Sequence, residues 1–382
     1  MRPLRKKPNW QASIEGLRGL AVVLVFISHV LGHWLSLSST DQGPLVDVYR
    51  LVFQIDFGRL GVYIFFLISG FLIPSSIKGY GAPVAQDFIR RRFFRIAPLY
   101  FFSVPLGLVL EHWLQGRQIS LAMTVQNVFL IPNFFGNPYS LNAYWTLQIE
   151  LFFYVIVFFV ALRLDFIRSK HVISSALITT ILLAELVRPD HHSVGPALST
   201  ALGELAKVLG GVTFIWIGAL LRKWADQQLS KLDRILLALY VTYALVYTPL
   251  RHIKHVSWNA DFPTLSFLVP GLALLTFLAV LRQGTVCRAL GHIGTVSYSM
   301  YLLHAPVIYV IKHFFSLTLG FLGIGRFDES QLMLSTVMGL GFIAITFLLS
   351  LWVSHWSYEQ VERRFWAPTT HGKTIPLATS DS

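Results

Sequence analysis

Arg18 and His29 stand eleven residues apart on an apolar segment, Gly16 to Leu35, that is long enough to cross a bilayer as a helix. A polar or charged side chain in hydrocarbon is disfavoured by at least about 2.5 kcal/mol and as a rule faces an interior cavity. At roughly 3.6 residues per turn and 1.5 Å per residue, the two groups return to one face within ~20°, about 16 Å apart, so they are expected to line one path. A neutral imidazole is a competent general base toward a hydroxyl. The plainer reading of His29 is a histidine that packs between helices and hydrogen-bonds across the bundle. His33 follows at i+4, a spacing a metal pair would use, but no carboxylate or cysteine cluster accompanies it, and no metal is expected.

Three further constellations accompany that pair. Arg90, Arg91, Arg92 and Arg95 fall within six positions ahead of Pro98. Guanidinium groups bind phosphate bidentately, so this run suits a phosphorylated ligand, and it equally suits anchoring against anionic lipid. Arg92 and Arg95 share a face if a helix begins here. Trp145 opens an apolar segment that carries Glu150 about two turns in. A buried carboxylate needs a partner, whether Arg18, a histidine, a substrate hydroxyl or a purely structural ion pair. Tyr301 and His304 share a helical face near the chain's end, with polar heads available to a cavity.

The elements that must position these residues follow from composition. The 382-residue chain is 54% hydrophobic, 14% aromatic and 13% charged, well below the roughly 25% charged of a soluble domain. About ten apolar runs predict an all-α polytopic membrane protein: 16–36, 60–77, 96–114, 144–162, 171–187, 201–221, 233–250, 264–281, 294–315 and 332–354. With a cytoplasmic N-terminus, 22 Lys and Arg fall on the cytoplasmic side against 8 opposite, which places both termini in the cytoplasm. The net charge of +12 is thereby explained by topology, and no nucleic-acid partner is expected. One membrane domain, 10–366, is expected between a basic tail, 1–9, and a polar, disordered tail, 367–382. The connection 115–143 carries Phe129, Pro132, Phe134, Phe135, Pro138 and Tyr139, which suits either a lid or an aromatic anchor at the membrane surface. Cys287 is the single cysteine, so no intramolecular disulfide is available.

The motifs together resemble acyltransferase family 3. They are Arg18 and His29; Gly61-Val62-x-x-Phe65-Phe66-x-x-Ser69-Gly70-Phe71-Leu72-Ile73; Arg92-x-x-Arg95-Ile96-x-Pro98; Trp145-x-Leu147-x-x-Glu150; Ser297-Tyr298-x-x-Tyr301-x-x-His304-x-Pro306; and Tyr358-x-x-x-Glu362-Arg363. The resemblance covers about residues 12 to 366. It implies transfer of an acyl group, often acetyl, from cytosolic acyl-CoA to a hydroxyl of a glycan, lipid-linked saccharide, glycolipid or natural product at a bacterial inner membrane.

By that resemblance Arg18 and His29 are the essential pair, with His29 as base or transient acyl carrier. Arg92 and Arg95, with Arg91 beside them, match the donor-phosphate position; Glu150, Tyr301, His304, Ser69 and Trp145 match further motif positions. Tyr63 stands where the family commonly has an acidic residue. A transporter or flippase for an amphiphilic or lipid-linked substrate is the alternative reading, since intramembrane charges serve that task too.

Overall fold

The computed structural model describes residues 10–37, 43–166, 169, 171–187, 194–247, 265–283, 287–323 and 331–365. The two expected tails lie outside the described residues. Every regular element among the described residues is helical: α1 (Trp10–Leu35), α2 (Pro44–Ile55), α3 (Phe57–Leu72), α4 (Ala82–Gln115), α5 (Leu121–Val128), α6 (Tyr144–Arg163), α7 (Val172–Leu186), α8 (Pro196–Ala225), α9 (Lys231–Thr242), α10 (Val269–Gln283), α11 (Arg288–Thr295), α12 (Ser297–Phe321) and α13 (Leu332–Ser357). Among the described residues, eight stretches are long and apolar enough to cross a membrane, and the chain is an all-α, multi-pass membrane protein.

Each of the ten expected spans overlaps a helix, but one is shorter than a full crossing. α7 has 15 residues, about 22 Å of rise against a hydrocarbon core of about 30 Å. α9 passes into a single π-helical turn, Tyr243–Tyr247. The expected third span began at 96, whereas α4 begins at Ala82, with Pro83 in its first turn and Gly81 at φ 106° before it. The arginine run therefore lies on a continuous helix and not in a loop. α2, inside the expected connection between the first two spans, leaves Val48, Leu51 and Phe53 exposed.

In lipid, helices gain little from hydrophobic exclusion and associate through close backbone packing at small residues. Two reciprocal glycine contacts do this here. A Cβ on Gly70 of α3 would sit 1.7 Å from the Ile215 carbonyl oxygen of α8, and one on Gly218 would sit 2.2 Å from that of Leu67. On the other flank, a Cβ on Gly19 would meet Leu290 O at 1.9 Å and one on Gly294 would meet Glu15 O at 1.8 Å. α1, α3, α8 and α11 are locked backbone to backbone, and the main apolar core of α1, α3, α6, α8 and α10 forms around them. A second core joins α4, α5, α6 and α12, and a third joins α1, α12 and α13. The chemistry-bearing faces of α1, α3, α4, α6 and α12 thus meet along the bundle interior.

Candidate active site

A cavity of about 1230 Å³ opens at the C-terminal end of α1. His29, Tyr301 and Trp145 line it, together with Asp56 and Arg59 at the start of α3 and Lys207 of α8. The segment between α4 and α6 folds over this end. Ser120 caps α5, Asn127 accepts from the Ser140 amide, and Arg117, Asn133, Pro138, Tyr139 and Asn142 reach the cavity. The segment is a roof over the cavity, while Phe129 and Phe135 point outward and are exposed. Tyr139 donates to Gln148 at 2.7 Å; burial, reinforced by the Glu204 carboxylate, raises its pKa and keeps it a donor.

His29 Nδ1 lies 2.7 Å from His304 Nε2, with the two rings edge to edge, 5.0 Å between centroids and 13° between planes, as an in-plane hydrogen bond requires. His304 Nδ1 in turn lies 2.8 Å from the Tyr301 carbonyl oxygen and 3.1 Å from that of Met300. A carbonyl only accepts, so His304 carries its hydrogen on Nδ1. For two neutral rings, the form that costs least in an apolar interior, His304 Nε2 is then the acceptor and His29 Nδ1 the donor. That leaves Nε2 of His29 as the ring's unprotonated nitrogen. His304 is almost wholly buried, and its tautomer is dictated by the helix that carries it. His33 stacks edgewise on Tyr309 at 5.2 Å.

The neighbours of the histidine pair are held by helix-terminal groups. Tyr301 Oη lies 2.7 Å from Thr146 Oγ1 and donates to the Ala143 carbonyl at 3.2 Å, tying α12 to the first turn of α6. Trp145 carries Lys207 Nζ 5.5 Å above its ring, and Lys207 pairs with Glu204 at 3.3 Å. Arg59 pairs with Asp56 at 3.1 Å and Arg117 with Glu111 at 2.6 Å. Asp56 also caps α3 from a left-handed conformation, φ 56°.

Arg18 is not among the cavity's lining residues. About three turns of α1 separate Arg18 from His29, and Arg18 belongs to a second polar cluster, toward the N-terminal end of that helix. The charges that bear on Arg18 are Arg95, Glu150, Arg92 and Glu15. Glu150 accepts from Ser69 Oγ at 3.1 Å and from Tyr154 Oη, and Glu362 accepts from Ser299 Oγ. Arg92 lies 5.6 Å and 5.7 Å over the Phe88 and Tyr154 rings and donates to Ser76 Oγ at 3.4 Å. Among the described residues, no ion pair closes between these three guanidiniums and two carboxylates. Arg91 departs from the group: it pairs with Asp87, four residues back on the same helix, as Arg90 does at 2.9 Å.

Two contributors escaped the expected site. Glu362 belongs to the closing Tyr358-x-x-x-Glu362-Arg363 motif, yet its place beside Arg18 and Arg95 depends on α13 continuing through a π-helical turn, Tyr358–Glu362. Tyr154 sits at i+4 from Glu150, a spacing that was readable.

A family described as an acyltransferase domain matches residues 11–356, and the chain belongs to that family. Three relatives sharpen the class. One is a Komagataeibacter xylinus protein provisionally named membrane-bound transacylase BcsY, 26% identical over 80% of this chain and 75% of its own length. The second, from Bacillus subtilis, is provisionally named peptidoglycan O-acetyltransferase YrhL, 26% identical over 77% of this chain and 48% of its own. The third is O-acetyltransferase OatA of Staphylococcus aureus, 24% identical over 81% and 52%. The chain spans three quarters of the first and about half the length of the other two. No solved structure matches the chain. The protein is a membrane-embedded acyltransferase.

Proposed function

We propose that the protein moves an acyl group, acetyl in the simplest case, from cytosolic acyl-CoA to a hydroxyl of a saccharide or glycolipid, in a bacterial cytoplasmic membrane with both termini inside the cell. The observation that carries this reading is the His29–His304 hydrogen bond at the wall of the cavity. The names of the relatives support O-acyl transfer.

In this reading the Arg18 end faces the cytoplasm, and Arg92 and Arg95 hold the donor's phosphates, with Arg18 deeper along the same path and Arg91 at its rim. Glu150, fixed by Ser69 and Tyr154, and Glu362, fixed by Ser299, orient the guanidiniums that would otherwise repel one another. The pantetheine arm extends toward His29 while the acceptor enters the cavity at the opposite end. His29 Nε2 takes the acceptor's hydroxyl proton as that oxygen bonds to the thioester carbon. The carbon–sulfur bond breaks, and the imidazolium returns the proton to the thiolate, releasing CoA as the free thiol. As His29 becomes cationic, its Nδ1–H bond to His304 becomes charge-assisted and strengthens in the transition state. Tyr301 and Trp145 shape the wall against which the acceptor rests.

The test supplies purified full-length protein with labelled acetyl-CoA and candidate saccharides, then locates the label by mass spectrometry. Label on an acceptor hydroxyl is expected. Thiol release without modified acceptor overturns the reading.

A further inference from the structure

Resting on that transferase reading, we propose that the acceptor is an electrically neutral saccharide of at least two residues, whose second sugar ring occupies the arm of the cavity beside Gly210, Phe214 and Tyr240. The volume is the first reason. At about 1230 Å³ the cavity exceeds the roughly 300–1,000 Å³ of a typical small-molecule pocket.

Charge is the second. Arg59, Arg117 and Lys207 of the lining each already hold a carboxylate, Asp56, Glu111 and Glu204 respectively. A phosphate or uronate would have to compete with those partners, whereas neutral hydroxyls can bond to the outer lone pairs and hydrogens of intact pairs.

The third reason is the wall of the arm. Tyr63 stacks on Phe214 at 4.1 Å between centroids, and Phe214 meets Tyr240 edge-on at 5.7 Å, presenting aromatic surface to the C–H face of a sugar. A Cβ on Gly210 would meet nothing within 4 Å, so α8 leaves open space there. Aromatic faces beside the polar Thr213 and Asn133 of the same lining match a pyranose better than an alkyl chain.

The experiment measures kcat/KM for labelled acetyl transfer to neutral oligosaccharides of one to four hexose or N-acetylhexosamine residues, and to their uronate- and phosphate-bearing counterparts. Expected is a rise of tenfold or more from one residue to two or three, with neutral acceptors preferred. In Gly210→Trp, which fills the arm, that length ratio falls to near one. Phe214→Leu removes the aromatic face while keeping an apolar side chain in its place, so it tests the arm if the tryptophan variant does not fold; it should reduce the length ratio severalfold. A flat length series, a preference for anionic acceptors, or an unchanged ratio in the folded variants overturns the subsite while leaving acetyl transfer standing. Failure of the wild-type protein to label any saccharide overturns the transferase reading and the subsite with it.

Discussion

The two polar sites of the bundle treat charge in opposite ways. Around the cavity at the His29 end, Arg59, Arg117 and Lys207 each lie within 3.3 Å of a carboxylate oxygen. Around Arg18, the guanidiniums of Arg18, Arg92 and Arg95 close no ion pair among the described residues, and the carboxylates of Glu150 and Glu362 are occupied by hydroxyl donors from Ser69, Tyr154 and Ser299. Guanidiniums left without an ion pair inside a membrane are stable only if something anionic visits them or if water reaches them. In the proposed reading one interior serves an anionic donor and an uncharged acceptor, and α1 runs between them with Arg18 and His29 eleven residues apart.

The sharpest break in that comparison removes the group that joins the two ligands. His29→Ala should lower kcat for acetyl transfer by about 10² to 10⁴, the usual contribution of a general base, with donor KM little changed; titration of rates against acetyl-CoA measures both. Wild-type turnover in a folded His29→Ala protein would leave the imidazole a packing residue.

The next largest effect tests what orients that base. His304→Phe keeps a ring in the space but offers no acceptor to His29 Nδ1–H, and should cost about 10² in kcat. His304→Gln places an amide oxygen where it can accept the same hydrogen, and should recover much of the loss. A purely structural His304 would show the reverse order, because phenylalanine is the better filler of a buried site.

A third variant addresses the cationic end alone. Arg92→Ala combined with Arg95→Ala should raise the donor KM about tenfold or more, from the loss of charge-assisted bonds, while acceptor KM stays near wild type. Equal rises in both constants would mean that the two sites are not separate in the way their charges suggest.

Much of this arrangement is legible in residue spacing. The helical class, Arg18 and His29, the Arg92–Arg95 pair and Glu150 all arise from motifs whose periodicity is short and local, whereas the Ser69 partner of Glu150, 81 positions away, does not. What spacing could not show is which partners meet across helices. His29 and His304 are 275 positions apart, and the register that brings Nδ1 to Nε2 depends on backbone contacts such as those at Gly19 and Gly294. Glu362 was hidden by a π-helical turn that changes the face on which it emerges. Spacing likewise gives Arg18 and His29 a shared face of α1, and the neighbouring helices decide whether the space along that face is continuous.

The smallest effect discriminates within the arginine run. Arg91 and Arg92 are adjacent, yet Arg91 is bound to Asp87 at the surface of α4 while Arg92 lies over Phe88 and Tyr154 beside Glu150. Exposed pairs one helical turn apart contribute only about 0.3–0.5 kcal/mol, so Arg91→Ala should change stability and donor KM by less than about twofold in equilibrium terms. If charge density near the membrane surface were all that mattered, Arg91→Ala and Arg92→Ala would be equivalent, since each removes one cation from the same helix. The two single variants, compared by donor KM at two salt concentrations, separate the cases. A larger effect at Arg92 that persists at high salt marks direct contact with the donor, because buried contacts are screened far less than surface charges.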